Sequence, residues 1–478
     1  MTTKLLFFLL LASICAGSMT AAEYSDANFK YAYSKTKNFA RVESTVKKTA
    51  TSLTIPSKIT VNGVSYPVTQ IGDYALSDLH KLKSITIPSS VTEIREGAFS
   101  NCFELRSVTI PSKVTVIPPD CFSMCLELTE VNFPKNLVSI ESGAFMYCEK
   151  VDIINWPSTL EKVGDYAFYC CKLPLFVELP AKCVEIGEEA FCNTDVEYFK
   201  LPSAMKAIGK EAFSNNHAMT AITLPKSVNT IGDGALFGCV VLQSCEMPAA
   251  IGSLGEGLFQ RCDKLNQVIW SPSQTTVPKR TFFQCYELEW ITLPDNVTSI
   301  GEEAFGECNM LRQFHFPAQL KTIGESAFDH ADLEELVLPQ GVTVIGANAF
   351  NYNYYVEEAY IPSSVTAIGS GAFNNMPHIT KVTVDRVAPP SLGPDGFHPL
   401  TYASANLQVP LESTRTYKTA AEWSNFQYIN DTPTGIEPLE RTDEAEAEML
   451  YDLQGRPADK NARGPIVDPS SRKVRIVR

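Results

Sequence analysis

The residues with the most chemistry to offer are the cysteines, of which the chain has fourteen. Thiols bind metals, close disulfides or act as nucleophiles when other groups converge on them. Eight recur in step: Cys102, Cys125, Cys148 and Cys171, then Cys239, Cys262, Cys285 and Cys308, always 23 residues apart within each set. A constant interval places them on successive turns of one structure, not around one point. Turns stacked at strand spacing lie about 4.8 Å apart, whereas a disulfide wants its Cβ atoms about 3.8 Å apart. The ladder therefore reads first as a column of buried small side chains; disulfides between turns and a metal are the other readings. Leu79, Thr194 and Ala331 fill the same slot elsewhere, which fits packing, and Cys192 is the thiol expected to be exposed.

Other chemistry thins out on inspection. His80, His217, His315, His330, His378 and His398 include no pair at His-x-x-x-His spacing. Gly232-Asp-Gly234 and Gly252-Ser-Leu-Gly255-Glu-Gly257 mimic phosphate loops but lack the lysine and the following helix. Glu302-Glu303, Glu334-Glu335 and Glu357-Glu358 have the residue type of a glycosidase pair, yet they fall at outward positions of a repeat. No catalytic residue, metal site or cofactor is expected, and the chain reads as a binder, not an enzyme.

The element that positions these residues is set by proline. Pro88, Pro111, Pro134, Pro157, Pro180, Pro202, Pro225, Pro248, Pro272, Pro294, Pro317, Pro339 and Pro362 follow one another at steps of 22, 23 or 24 residues. Such a period marks a stacked-repeat solenoid. In one unit, Leu105-x-x-Val108-x-Ile110-Pro111 alternates like a half-buried strand, which proline ends because it has no N–H for a ladder. A second apolar residue follows, often with glycine after it (Ile186-Gly187, Ile208-Gly209, Ile231-Gly232), where a turn with positive φ is expected. Ala-Phe then fills the far side, as at Ala98-Phe99 and Ala144-Phe145. The second apolar position recurs at 71, 94, 117, 140, 163, 186, 208, 231, 254, 277, 300, 323, 345 and 368, giving about 14 coils of ~23 residues. No coil can bury its apolar positions alone, so neighbours must stack.

Leu-x-x-Ile-x-Ile-Pro followed by Val-x-x-Ile-Gly-x-x-Ala-Phe-x-x-Cys resembles the BspA-like leucine-rich repeats of bacterial surface proteins, over residues 53–430. The resemblance implies a mainly β, right-handed leucine-rich-repeat solenoid, capped at both ends, and a role in adhesion or ligand capture.

The ends read differently. Residues 1–22 have the form of a secretory signal: Lys4, an apolar stretch from Leu5 to Ile14, and Thr20-Ala21-Ala22. Cys15 raises a lipid-anchor reading, which the Ile14 before it disfavours. Residues 23–70 read as an N-terminal cap with a hairpin at Asn62-Gly63, 71–385 as the solenoid, 386–430 as a closing coil and 431–448 as an acidic linker. In residues 449–478, Leu450-Tyr-Asp-Leu-Gln-Gly-Arg456 and the basic end Arg472-Lys-Val-Arg-Ile-Val-Arg478 are partly similar to type IX secretion sorting modules. The net charge of −14 disfavours nucleic acid, and no later segment is apolar enough to cross a bilayer. The expectation is a secreted or cell-surface monomer.

Within each strand, two residues face outward, and polar side chains would suffice there. Two coil clusters break that rule: Ile153, Phe176 and Tyr198, then Ile269, Trp290 and His315. Exposed aromatics ringed by polar groups serve protein interfaces and sugar stacking alike. These six are the candidate ligand face, for an extracellular protein or, alternatively, a glycan.

Overall fold

The structure is a computed structural model that describes residues 21–153 and 155–430, together with the main chain of four strands beyond residue 449. Of the expected signal, residues 1–20 lie outside the described residues, as does all of the acidic linker. Two compact units divide the chain, residues 1–430 and 431–478.

The first unit is a stack of parallel β-coils, about 16 turns with a period of about 23 residues. Three main-chain ladders join most coils to the next. On the front, three-residue strands pair in register, one residue per coil: Phe176 with Tyr198, Tyr198 with Ala221, Ala221 with Ser244 and Gln267 with Trp290. A second ladder follows the seam of Ile and Val predicted by the repeat, pairing Ile117 with Ile140 and Ile186 with Ile208. It continues past the fourteen positions counted above, from Ile368 to Leu392.

The third ladder runs through the Ala-Phe turn. The N–H groups of Tyr74, Leu76 and Asp78 donate to the carbonyls of Glu96, Ala98 and Ser100 in the following coil at 2.8–2.9 Å. Gly97, Phe99 and Asn101 do the same toward Pro119, Cys121 and Ser123. Turning alternate amides forward requires left-handed residues at two positions per coil, such as Tyr74 and Asp78 or Asp120 and Met124. These non-glycine residues hold positive φ because the inter-coil bonds repay the local strain.

The glycines after the seam residue have a different reason from the one expected. None of Gly187, Gly209 and Gly232 has positive φ; the left-handed positions come two residues later, at Glu189, Glu211 and Gly234. A Cβ on Gly209 would lie 2.4 Å from the carbonyl carbon of Gly187, and one on Gly232 would lie 2.4 Å from the amide nitrogen of Lys210. Adjacent coils pass too closely there for any side chain.

Inside, phenylalanines stack coil on coil. Phe99, Phe122, Phe145, Phe168, Phe191 and Phe213 form one column with ring centroids 5.2–6.0 Å apart. A second column runs from Phe259 through Phe282, Phe305, Phe328, Phe350 and Phe373 to Phe397. Each pair adds roughly 0.5–1.5 kcal/mol beyond its burial.

The cysteine column is buried, as packing requires, and it also makes a bond. Cys148 Sγ donates to the carbonyl of Phe122, one coil back, at 3.1 Å, and Cys171 Sγ to that of Phe145 at 2.9 Å. Cys239, Cys262, Cys285 and Cys308 repeat the contact at 3.1–3.3 Å. The slot therefore wants a small donor. Two coils lack one residue, with seam steps from Ile186 to Ile208 and from Ile323 to Ile345. In each, an aspartate turns left-handed, Asp195 and Asp332. The coil after each shortening carries asparagine in the cysteine slot. Asn216 Nδ2 donates to the carbonyls of Phe191 and Phe213, both at 2.8 Å, while its Oδ1 accepts from Thr194 Oγ1 at 2.6 Å. Asn353 bonds Phe328 and Phe350 in the same way and accepts from the Leu333 N–H at 2.8 Å. Asparagine reaches both sides of the gap that the missing residue leaves.

Both ends are closed. Ala22–Ser25, Phe29–Ser34 and Phe39–Thr45 pair antiparallel, and the last then runs parallel to Val64–Ile71. The hairpin at Asn62-Gly63 forms, both residues having positive φ. At the far end Trp423 Nε1 donates to the Pro390 carbonyl and Tyr417 OH to that of Arg386, each at 2.8 Å. In the second unit, Leu450–Asp452, Pro457–Ala458, Gly464–Asp468 and Lys473–Val477 make an antiparallel sheet, over the stretch compared above with a sorting module.

The two uses of one slot differ in cost. Removing Asn216 takes one hydrogen bond from each of two buried carbonyls and leaves the buried N–H groups of Thr194 and Val196 without their acceptor, so Asn216→Ala should cost about 3 kcal/mol. Cys239→Ala loses one weak bond and little volume, about 1 kcal/mol. Urea unfolding measures both, and equal losses would contradict the bridging role.

Candidate binding face

On the front ladder the middle residue of each strand points inward and its two neighbours outward. Val177, Phe199, Ile222, Cys245, Val268 and Ile291 are buried, and the flanking residues form two exposed or half-exposed columns. The sheet is unbroken from Phe176–Glu178 to Trp290–Thr292, six strands. Five strand steps of about 4.8 Å separate its ends by about 24 Å.

At one end Phe176, 52% exposed, stacks on Tyr198 with centroids 5.5 Å apart and planes at 15°. Beside them Lys200 pairs with Glu178 at 2.8 Å. At the other end Trp290, 47% exposed, is aligned with Gln267, and Ile269, 54% exposed, lies on the diagonal. Small residues, Ala221 and Ser244, occupy the first column between them. The result is a shallow saddle with an aromatic pair at one end and Trp290 with Ile269 at the other.

Ile153 is not on this face. It is 4% exposed and packs in the core. In its coil, residues 151–153 and 155–157 are in no strand. Freed from the ladder, the isoleucine turns inward, where burial is worth roughly 1.5–3 kcal/mol. His315 is exposed as expected, but its coil also leaves the ladder, so it lies beyond the sheet that carries Phe176, Tyr198, Ile269 and Trp290.

Two further exposed apolar residues lie along the front of the coils. Val337 is 62% exposed and Leu175 is 63% exposed. Val337 stands in the outward column, where a valine reads as an ordinary strand former. Leu175 follows Pro174, where a one-residue shift hides its direction. Around His315 a hollow of about 420 Å³ opens, with Phe314 and Phe316 in its wall and Glu334, Glu335 and Val337 on its far side.

The thiols are held away from chemistry. Burial pushes the thiols of Cys102 and Cys239 up to about 12 and those of Cys125, Cys148, Cys262 and Cys285 well above the usual thiol range, so the column stays protonated at neutral pH. Cys192 is buried under Ser214, whose hydroxyl donates to its Sγ at 3.0 Å; the partly exposed thiol is its neighbour one coil back, Cys170. Among the described residues no three His, Cys, Asp or Glu side chains converge as a metal would need. Mixing the folded chain with a water-soluble disulfide reagent at pH 8 should therefore modify Cys170 well before any column thiol. Reaction at Cys102 or Cys239 without unfolding would contradict the burial.

No helix among the described residues is long and apolar enough to cross a membrane. A search of curated proteins found no match. Among solved structures, a leucine-rich repeat protein from Bacteroides ovatus is 23% identical, with a TM-score of 0.50, over 75% of this chain and 94% of its own. A leucine rich cell surface protein from Faecalibacterium prausnitzii is 26% identical over 76% of this chain and 94% of its own, with a TM-score of 0.45. The model of the BspA type leucine rich repeat region matches residues 48–175, 184–289 and 275–389. With that model covering well over half its length and the coils stacked as the repeat demands, the chain belongs to the BspA-type leucine-rich repeat family.

Proposed function

We propose that this chain is exported and, at the bacterial surface, binds an extracellular protein through the front face of its coils. The observation that carries the reading is the pair of exposed apolar clusters on one continuous sheet, Phe176 with Tyr198 and Trp290 with Ile269. A sheet in water needs only polar residues in those columns, and large aromatics there are the anchors that interfaces use. The saddle between them is long enough to seat a strand or loop of a partner. The acidic chain favours a basic or neutral partner. Lys4 and the apolar stretch behind it support export.

Trp290 beside Gln267 also favours a second reading, a glycan stacked on the indole with the amide bonding its hydroxyls. Salt separates the two, because screening weakens charge-assisted protein capture and leaves stacking on a neutral sugar almost unchanged. The test is a screen of the chain from residue 23 onward against extracellular-matrix proteins and glycans, at low and high salt. A protein hit that weakens with salt and is lost in the Phe176→Ala/Tyr198→Ala/Trp290→Ala variant is the expected result. A hit that survives that triple substitution would move the binding face elsewhere.

A further inference from the structure

The front ladder is interrupted between Trp290–Thr292 and Leu336–Val337. The coil between them places Phe314 and Phe316 where the preceding coil has Ile291 and Leu293. Both rings crowd the phenylalanine column: Phe314 lies 5.1 Å from Phe305 and 4.8 Å from Phe328, and Phe316 lies 5.5 Å from Phe328. Over-filled cores relax by shifting backbone, and here the main chain leaves the sheet. Residues 313–316 make no main-chain hydrogen bond to either neighbouring coil, and Arg312 N–H turns back to Met310. The next coil is the one shortened at Asp332. Together these two departures leave the hollow of about 420 Å³.

We infer that this hollow is the anchor point of the protein-binding face, and that it takes an extended basic segment of the partner, a lysine or arginine set between apolar residues. The inference rests on the protein-binding reading of the front face. Charge, shape and hydrogen bonding agree on that occupant. Glu335 is exposed with no cation paired to it, and Glu334 meets only Arg312, at 3.5 Å. An incoming ammonium would find both carboxylates at the rim, within a chain of net charge −14. Val337 and Phe316 supply apolar wall for the stem of a lysine or for its neighbours. The free main-chain groups of residues 313–316 can bond the main chain of an extended segment, as sheet edges do when they capture peptides.

Fluorescence anisotropy with a labelled, alternating lysine–valine octapeptide and the chain from residue 23 onward tests the assignment. Glu334→Gln/Glu335→Gln should weaken binding roughly tenfold, as loss of a charge pair in a partly enclosed site does. Glu161→Gln/Glu412→Gln removes the same charge from exposed positions off the front face and should change it by less than about twofold. Val337→Ser should weaken binding at high salt as well as low. Equal weakening by the two glutamate pairs would reduce the effect to bulk charge and overturn the inference, as would no weakening by either. The Phe176→Ala/Tyr198→Ala/Trp290→Ala variant keeps the two conclusions apart. If it abolishes capture of a matrix protein while Glu334→Gln/Glu335→Gln leaves that capture intact, the hollow is overturned and the face reading stands. If maltohexaose binds and the peptide does not, the hollow is a sugar site and the inference falls.

Discussion

Through most of the stack, each coil is hydrogen-bonded to the next through its main chain on three sides, at a spacing of about 4.8 Å. That constraint governs the rest of the first unit. Because the ladders are in register, each side chain meets the residue in the same slot one coil away. A slot must therefore suit itself: phenylalanine stacks on phenylalanine, glycine passes glycine, and a thiol reaches the carbonyl of the coil before it. The left-handed residues in the third ladder follow from the same rule, since turning alternate amides toward the next coil is possible only with that backbone.

Stability in such a stack is close to a sum of nearest-neighbour terms, so a defect must be answered next door. The shortenings at Asp195 and Asp332 show how. Each is followed by an asparagine, Asn216 or Asn353, whose amide spans two carbonyls and accepts a hydrogen bond from the shortened coil. The interruption at residues 313–316 is not answered in this way. Its main-chain groups make no inter-coil bond, and the apolar and acidic side chains around them face a hollow. A place where the rule is broken and left uncompensated is where a partner gains most by binding.

Much of the fold was legible in the sequence because the repeat states its own period. Proline at the end of each strand, the seam of Ile and Val, and Ala-Phe beyond it each mark one side of the coil, and the Asn62-Gly63 hairpin is set by local backbone preference. What was misjudged depends on the distance between coils. Gly209 looks like a turn glycine until the approach of Gly187 is known, and the cysteine slot looks merely apolar until Phe carbonyls are found within reach. Outward and inward positions are most legible where the ladder holds. Phe176, Tyr198, Ile269 and Trp290 obey the alternation, whereas Ile153 sits on a coil that has left it and turns into the core. Its place one residue beyond Phe191 puts Cys192 outside, but Ser214 in the next coil covers it.

The central claim is that the front face is open at the coil of residues 313–316, and amide hydrogen exchange of the free chain addresses it most directly. Gln313 and His315 amides should exchange nearly as fast as an unstructured peptide, while the ladders at Gln267–Ile269 and Glu358–Ile361 on either side exchange at least roughly a hundredfold more slowly. Equal protection across all of these strands would mean that the ladder is continuous and that the hollow is not an open site.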